Sequence, residues 1–225
     1  MAWIRDSNLT WFQRIATNVI KSDRVPRHIA FIMDGNRRFA KTNDLPDVSE
    51  GHLRGFDKLA DVLRWCMDLG VSVITFYMFS IENYKRDNQE LVKLFGIALQ
   101  KFKQLLEEID ELNENGVRVQ FIGNWSLCPG DAQHDIAKAM LLTQKNERFI
   151  LNISFAYTAR DEMTNAVATI CRAVECHELS PGDITDSLIR KCMYTCDSPD
   201  PDLIIRTSGE SRLSDFLLWQ VSFVR

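Results

Sequence analysis

A carboxylate, a glycine, an amide and two guanidiniums follow a short apolar run near the N-terminus of this chain. The run is 29–33, and the group after it is Asp34, Gly35, Asn36, Arg37 and Arg38. Mg²⁺ needs only one or two protein oxygens when substrate phosphates and waters complete its octahedron, and guanidiniums suit phosphate oxygens. The pattern therefore predicts Asp34 as a metal ligand of catalytic importance and the next four residues as phosphate ligands. The alternative is that Asp34 is a capping or turn residue.

A second group of this kind lies near the C-terminus, where the apolar run 202–206 ends in Arg206, followed by Arg212 and Ser214. The planar fork of arginine binds phosphate through two parallel hydrogen bonds, and a serine hydroxyl adds a donor. The group therefore predicts a site for a diphosphate. The alternative is that Arg206 and Glu210 pair with each other on the surface.

A third group follows the run 72–79 and contains Ser80, Glu82, Asn83 and Arg86. Asn83 would orient a departing phosphate as a catalytic residue, and Arg86 would neutralise it. Glu82 is open to two interpretations, a substrate contact or a support for an arginine. Together the three groups predict an enzyme that handles polyphosphate compounds.

Strand and helix patterns alternate along the chain. Strands are predicted at 29–33, 72–79, 117–122, 149–155 and 202–206, and helices at 52–69, 88–114, 130–145, 160–176 and 183–193. This alternation predicts an α/β fold, a single domain with a mainly parallel central sheet flanked by helices. Polar residues 43–50 are predicted to form a mobile lid beside the first group. His52, just after them, is either a proton acceptor near neutral pH or a structural side chain.

Residues 1–27 form a separate amphipathic segment in this interpretation, with a helix at 8–22. Leu9, Phe12, Ala16 and Val19 lie on one face at helical spacing. That face either packs on the domain or contacts a membrane surface or an apolar ligand. No stretch of the chain is apolar enough to span a bilayer. The net charge of −4 argues against nucleic acid as a partner.

The three groups, in this order and spacing, resemble those of the cis-prenyltransferases. The similarity runs along the whole chain and rests on the strings 28–41, 79–83 and 206–210. Residues 3–4 and 11–12 make it most similar to the eukaryotic members that make polyprenyl diphosphate for dolichol synthesis and protein glycosylation. The resemblance implies that residues 28–225 form a cis-prenyltransferase-like catalytic domain.

The resemblance also implies a reaction and a set of roles. Isopentenyl diphosphate would be condensed repeatedly onto an allylic diphosphate such as farnesyl diphosphate, with Mg²⁺ near Asp34 assisting departure of the allylic diphosphate. Asn83 would act at the reacting centre. The allylic diphosphate would contact the residues Gly35, Asn36, Arg37 and Arg38, and isopentenyl diphosphate would contact Arg206, Arg212 and Ser214. Substrate contacts are also expected from His52, Ser80, Glu82 and Arg86. The product's apolar tail would need a tunnel, and ordinary core packing is the alternative role for its candidate lining. That lining comes from strand 72–79 and from residues of helix 88–106: Leu91, Leu94, Phe95, Ala98, Leu99 and Phe102.

Partners and location follow from the same resemblance. A related, membrane-attached cis-prenyltransferase subunit is expected to complete the enzyme, peripherally, at the cytoplasmic face of the endoplasmic reticulum membrane. Two departures from the family stand out. No arginine lies between Arg38 and Arg54, whereas family members often carry one just before the pair that matches Gly51-His52, so Lys41 would have to substitute. After Trp219-Gln220 the last strand and helix of the fold are expected to be missing, which would uncover Phe216 and Leu218. The alternative function is therefore a truncated, non-catalytic partner or regulatory subunit of the same complex.

Overall fold

A five-stranded parallel sheet forms the centre of this chain in the computed structural model, which describes residues 3–5 and 7–222. The strands are β1 (His28–Ile32), β2 (Val73–Ser80), β3 (Val117–Ile122), β4 (Phe149–Tyr157) and β5 (Leu203–Arg206). Their order is β3-β4-β2-β1-β5, and every neighbouring pair is parallel. The α/β prediction and all five strands are confirmed.

Nine α-helices lie within the described residues. They are α1 (Trp11–Lys21), α2 (Asn36–Thr42), α3 (Val48–Leu69), α4 (Asn88–Glu107), α5 (Ile109–Glu114), α6 (Gly130–Thr143), α7 (Ala159–Glu175), α8 (Asp186–Lys191) and α9 (Leu218–Val221). The single helix predicted at 88–114 is wrong, because the backbone at Glu108 leaves helical geometry and divides α4 from α5. Helix α2 has no counterpart in the prediction, since it is short and mostly polar.

The lid predicted at 43–50 is shorter than expected. Helix α3 already begins at Val48 because Asp47 caps it: the Ser49 amide donates to Asp47 Oδ1 at 2.8 Å. A side-chain oxygen at this position satisfies an amide that the helix leaves without a partner. The connection between α2 and α3 is therefore only residues 43–47.

Helices cover both faces of the sheet, as parallel sheets require. Alternate residues of β1 show this: Phe31 belongs to one apolar cluster, with helices α3 and α4, while Ala30 and Ile32 belong to another. The second cluster includes Tyr77 and Phe216, whose rings stack at 4.4 Å between centroids. The prediction that Phe216 is uncovered is wrong, since the side chain is fully buried. The sequence also predicts that the last strand and helix of the fold are missing after Gln220. Residues 223–225, on which this prediction falls in part, lie outside the described residues.

Helix α1 carries its apolar residues on the surface. None of its side chains is buried, and Trp11, Phe12 and Val19 are 68%, 75% and 66% exposed. Helix α1 lies against α3, but its apolar face is therefore not buried on the domain. Within the described part of the chain, no helix has the length and apolar character to cross a membrane.

Candidate functional site

The three predicted groups meet at one edge of the sheet because their strands are neighbours. In the order β2-β1-β5, Ser80 ends β2, Asp34 follows β1 and Arg206 ends β5. The carboxyl ends of parallel strands are where open α/β sheets bind their ligands. The fold thus juxtaposes side chains that are far apart in the sequence.

An ion pair joins the first and last groups. Arg206 Nη2 donates to Asp34 Oδ2 at 2.7 Å, and the Gly35 amide donates to Asp34 Oδ1 at 2.7 Å. Partial burial raises the pKa of Asp34, but the hydrogen bonds from Arg206 and Gly35 and the nearby charge of Arg212 outweigh it. The net pKa lies below its ordinary value. Asp34 is therefore a carboxylate at neutral pH.

Thr207 fixes the backbone of Asp34, a role that the sequence did not reveal. The Asp34 amide donates to Thr207 Oγ1 at 2.8 Å, and the same hydroxyl donates to the Asp34 carbonyl at 2.7 Å. Gly35 follows with a φ of 93°, and a Cβ there would lie 2.5 Å from Ser208 Oγ. Only glycine allows the two strand ends to approach this closely.

The guanidinium of Arg206 also donates hydrogen bonds to residues that follow it in the chain. Its Nη1 donates to the Arg212 carbonyl and, at 2.7 Å, to Ser214 Oγ. Tyr77 supports the same segment by donating from its hydroxyl to the Ser214 carbonyl at 3.2 Å. The alternative in which Arg206 pairs with Glu210 is wrong, because Glu210 lies 3.4 Å from Arg212 instead. Arg206 has a side chain only 10% exposed, so it is well placed to keep a fixed geometry.

The second group forms a turn of 3₁₀-helix after β2. Asn83 Oδ1 accepts from the Ser80 amide at 2.9 Å, and Ser80 Oγ accepts from the Glu82 amide at 3.1 Å. The carbonyl end of the Asn83 side chain is thus fixed, which leaves its NH₂ group as a donor. Glu82 accepts from Lys85 at 2.6 Å and lies 3.7 Å from Arg160. These contacts favour the interpretation that Glu82 supports basic side chains.

Glu90 of α4 links two predicted phosphate ligands, and the sequence analysis missed it. Arg86 Nη1 donates to Glu90 Oε1 at 2.7 Å, and Arg37 Nη1 lies 3.8 Å from the same oxygen. The spacing of four residues between Arg86 and Glu90 at a helix start was the available signal.

His52 lies beside these groups, and its Nε2 has no hydrogen-bond partner among the described residues. Its pKa is lowered by burial, and further by the positive charge of Arg86, so the ring is neutral at neutral pH. Asn36 Nδ2 lies 3.4 Å from Nδ1, while Nε2 is buried without a partner among the described residues. Asn36 itself is pressed against α3, where a Cβ on Gly55 would lie 2.5 Å from Asn36 Oδ1. The close contact between α2 and α3 is what brings His52 to the cleft.

A cavity of about 320 Å³ opens at this edge, and we call it the cleft. Nine of the predicted site residues line it: Asp34, Asn36, His52, Ser80, Glu82, Asn83, Arg86, Arg206 and Ser214. Four do not: Gly35 and Arg38 line a neighbouring cavity, Arg37 lines another, and the Arg212 side chain is 73% exposed beside Glu210. The polar residues gather at the mouth of the cleft.

The interior of the cleft is apolar. Phe56, Phe79, Leu94, Ala98 and Phe155 contribute to its wall. Leu94 and Ala98 belong to the predicted tunnel lining. Phe102, also predicted, is instead buried in the core. The cleft therefore combines a polar, cationic mouth with an apolar interior, which suits an amphiphilic ligand with an anionic head.

The side chains at the mouth of the cleft fit a metal ion that takes most of its ligands from substrate and water rather than from protein. Within residues 3–5 and 7–222, no set of three or more His, Cys, Asp or Glu side chains could hold a metal ion. Asp34 remains 39% exposed at the mouth of the cleft. Arg206 Nε is buried there without a partner among the described residues, as a group awaiting an anion would be. One carboxylate beside phosphate-binding groups fits Mg²⁺.

Known proteins match this chain along most of its length. A family model described as "Putative undecaprenyl diphosphate synthase" matches residues 32–224. The dehydrodolichyl diphosphate synthase complex subunit of Homo sapiens is 49% identical over 222 residues, which cover 99% of this chain and 66% of the relative. A tritrans,polycis-undecaprenyl-diphosphate synthase (geranylgeranyl-diphosphate specific) of Methanopyrus kandleri is 43% identical, covering 94% of this chain and 78% of the relative. This chain thus matches just under two thirds of the length of the human relative.

Solved structures show the same fold. Lavandulyl diphosphate synthase from Lavandula x intermedia, in complex with dimethylallyl diphosphate, superposes with a TM-score of 0.82 at 30% identity, covering 89% of this chain and 85% of that one. A probable undecaprenyl diphosphate synthase from Campylobacter jejuni gives a TM-score of 0.68 at 28% identity, covering 90% of this chain and 85% of that one.

Proposed function

Because this chain belongs to the cis-prenyltransferase family, we propose that it condenses isopentenyl diphosphate onto an allylic diphosphate such as farnesyl diphosphate. The product would be a long-chain polyprenyl (dehydrodolichyl) diphosphate for dolichol synthesis and protein glycosylation. The observation that carries this proposal is the cleft, in which Asp34, Arg206 and Asn83 surround the mouth of an apolar cavity. The human relative at 49% identity supports the choice of product.

Roles for the residues follow from their positions. Arg37 and Arg38, with the backbone amides of Gly35 and Asn36, would bind the allylic diphosphate. Asp34 would hold Mg²⁺, which when bound neutralises negative charge that develops on a departing diphosphate. The allylic C–O bond breaks with its electrons leaving on the diphosphate, the alkene carbon of the second substrate attacks, and loss of a proton restores a double bond.

The second diphosphate needs binding and positioning rather than activation. Arg206 and Ser214 lie next to Asp34, so they would hold isopentenyl diphosphate with its alkene near the allylic carbon. Arg212 would join them by turning away from Glu210. Asn83 would donate its free NH₂ group at the reacting centre, and Arg86 and His52 would contact the diphosphate that departs. The apolar interior would take the prenyl tail.

Incorporation of labelled isopentenyl diphosphate onto farnesyl diphosphate tests the proposal. We expect butanol-extractable product with Mg²⁺ and none after chelation of the metal. The assay should be run on this chain alone, together with a candidate second subunit, and as a version extended by a family-type C-terminus. Activity of the chain alone or together with the second subunit would support the proposal, whereas activity only in the extended version would favour the alternative of a truncated, non-catalytic form. No activity in any of the three would contradict the proposal.

The surroundings of the enzyme are part of the same proposal. The human relative is described as a subunit of a complex, which supports a related, membrane-attached cis-prenyltransferase as the partner here. The apolar, exposed surface of α1 supports peripheral attachment to a membrane, which we place at the cytoplasmic face of the endoplasmic reticulum. In this proposal α1, within residues 1–27, is the attachment element, residues 28–225 are the catalytic domain, and Trp3 and Ile4 anchor the N-terminal segment in the core of that domain.

Replacing Trp11 and Phe12 with serine should weaken binding to liposomes. Both rings are largely exposed on α1 and contact each other edge to face at 4.8 Å. Aromatic side chains of an amphipathic helix insert at the boundary between headgroups and acyl chains. We expect the liposome-bound fraction to fall about tenfold in co-sedimentation with phosphatidylcholine vesicles. Leu141→Ser, at an exposed apolar position on α6, is the control, and equal loss in both variants would contradict the assignment of α1.

A further inference from the structure

A second cavity lies beside the cleft, between α2, the start of α3 and the first turns of α4. Its volume is about 510 Å³, and we call it the side cavity. It shares His52, Leu94 and Ile97 with the wall of the cleft. These three side chains therefore separate the two spaces, and a small movement of α3 relative to α4 would join them.

One ion pair ties α3 to α4 across the side cavity. Lys93, in the second turn of α4, donates through Nζ to Asp47 Oδ2, while the other carboxylate oxygen of Asp47 caps α3. The hydrogen bonds from Lys93 and from the Ser49 amide hold the pKa of Asp47 well below its usual range. Asp47 is therefore a carboxylate at neutral pH.

Two aromatic rings of the cleft wall, Phe79 and Phe155, pack with Phe95 behind them. Phe79 stacks on Phe155 with 5.1 Å between centroids, and Phe95 meets both rings edge to face at 5.0 and 5.6 Å. A prenyl tail that grows in the cleft has to remain out of water, because each buried CH₂ group contributes about 0.8 kcal/mol. Leu94 and Ile97 form an apolar part of the cleft wall, and the same two side chains also line the side cavity.

We propose that the Asp47–Lys93 ion pair is a latch that closes a lateral opening of the cleft, through which the apolar tail of an allylic or polyprenyl diphosphate enters or leaves. The inference rests on the proposed function, since it names a route for the ligands of that function. The two side chains are 56% (Lys93) and 41% (Asp47) exposed. An exposed pair of this kind is weak and is screened by salt, which suits a contact that has to open in each cycle.

Stopped-flow binding of a fluorescent, non-extendable analogue of farnesyl diphosphate tests the latch on the full chain. Asp47→Asn keeps an oxygen to cap α3 but removes the charge, and Lys93→Met keeps most of the side-chain length. We expect each variant to raise the association and dissociation rates by about two- to fivefold, the range that an exposed pair allows, with little change in Kd. Because both remove the same contact, the double variant should show no further increase.

Two controls make the result specific. Lys103→Met removes an equal charge from an exposed position on the same helix and should leave both rates unchanged. Raising the salt concentration to about 0.5 M should bring the wild-type rates toward those of the variants, and it needs no substitution that could disturb folding. Binding at wild-type rates in both variants, or equal acceleration by Lys103→Met, would overturn the latch. Failure of the wild-type chain to bind the analogue would instead contradict the proposed function.

Discussion

The substitution Asp34→Ala is expected to lower kcat about a thousandfold while leaving the binding of isopentenyl diphosphate within a few-fold of wild type. A factor of this size corresponds to about 4 kcal/mol of transition-state stabilisation, which is what a metal ion at a developing charge supplies. Asp34 is a partly exposed carboxylate that lines the cleft beside the proposed phosphate ligands. Steady-state turnover of labelled isopentenyl diphosphate gives kcat, and calorimetric titration gives the affinity.

Asp34→Asn separates the metal role from the structural one. The amide retains an oxygen for the Gly35 amide but no longer carries the charge that a divalent cation requires. We expect Asp34→Asn to lose nearly as much activity as Asp34→Ala, and its residual turnover to depend little on Mg²⁺ concentration. Full activity of either variant with Mg²⁺ would show that the assignment of Asp34 as the metal ligand is wrong.

The strands of this fold could be predicted from the sequence because each is an apolar run of suitable length ending in polar residues. Both faces of β1, β2 and β4 are largely buried, so these runs are predominantly apolar rather than alternating. The short helix α2 could not be predicted in the same way. It is held by contact with α3, where glycine admits Asn36, rather than by a pattern of its own.

Nine of the thirteen predicted site residues lie together at the cleft, but the pairings among them could not be predicted from the sequence. Asp34 and Arg206 stand 172 residues apart, and their ion pair depends on β5 lying beside β1. That order is set by the crossovers of the chain, which no local pattern records. Thr207 and Tyr77 escaped prediction for the same reason, since each acts by a hydrogen bond to a distant backbone group. The surface position of α1 was likewise a question of tertiary packing, because an amphipathic pattern predicts an apolar face and not what covers it.

Arg206→Ala is expected to have the second large effect, a fall of about a hundredfold or more in kcat/KM for isopentenyl diphosphate. Removing a guanidinium that makes charge-assisted hydrogen bonds at a partly buried site costs several kcal/mol. Arg206 Nη2 donates to Asp34 and Nη1 donates to Ser214, so the change removes the proposed diphosphate ligand and also frees the proposed metal-binding carboxylate. Arg206→Lys should recover little, because an ammonium cannot reproduce the fork that reaches both partners.

Arg212→Ala is the matched comparison, since it removes the same charge six residues away. Its side chain is 73% exposed and pairs with Glu210, so we expect a loss of about tenfold or less, confined to KM. The double variant Asp34→Ala with Arg206→Ala should be much less impaired than the product of the single losses predicts, because the two side chains form one unit. Independent, multiplying losses would mean that the ion pair in the cleft is unrelated to turnover. Equal losses for Arg206→Ala and Arg212→Ala would mean that net charge, rather than the geometry fixed by Asp34, Ser214 and Arg206, governs binding of the second diphosphate.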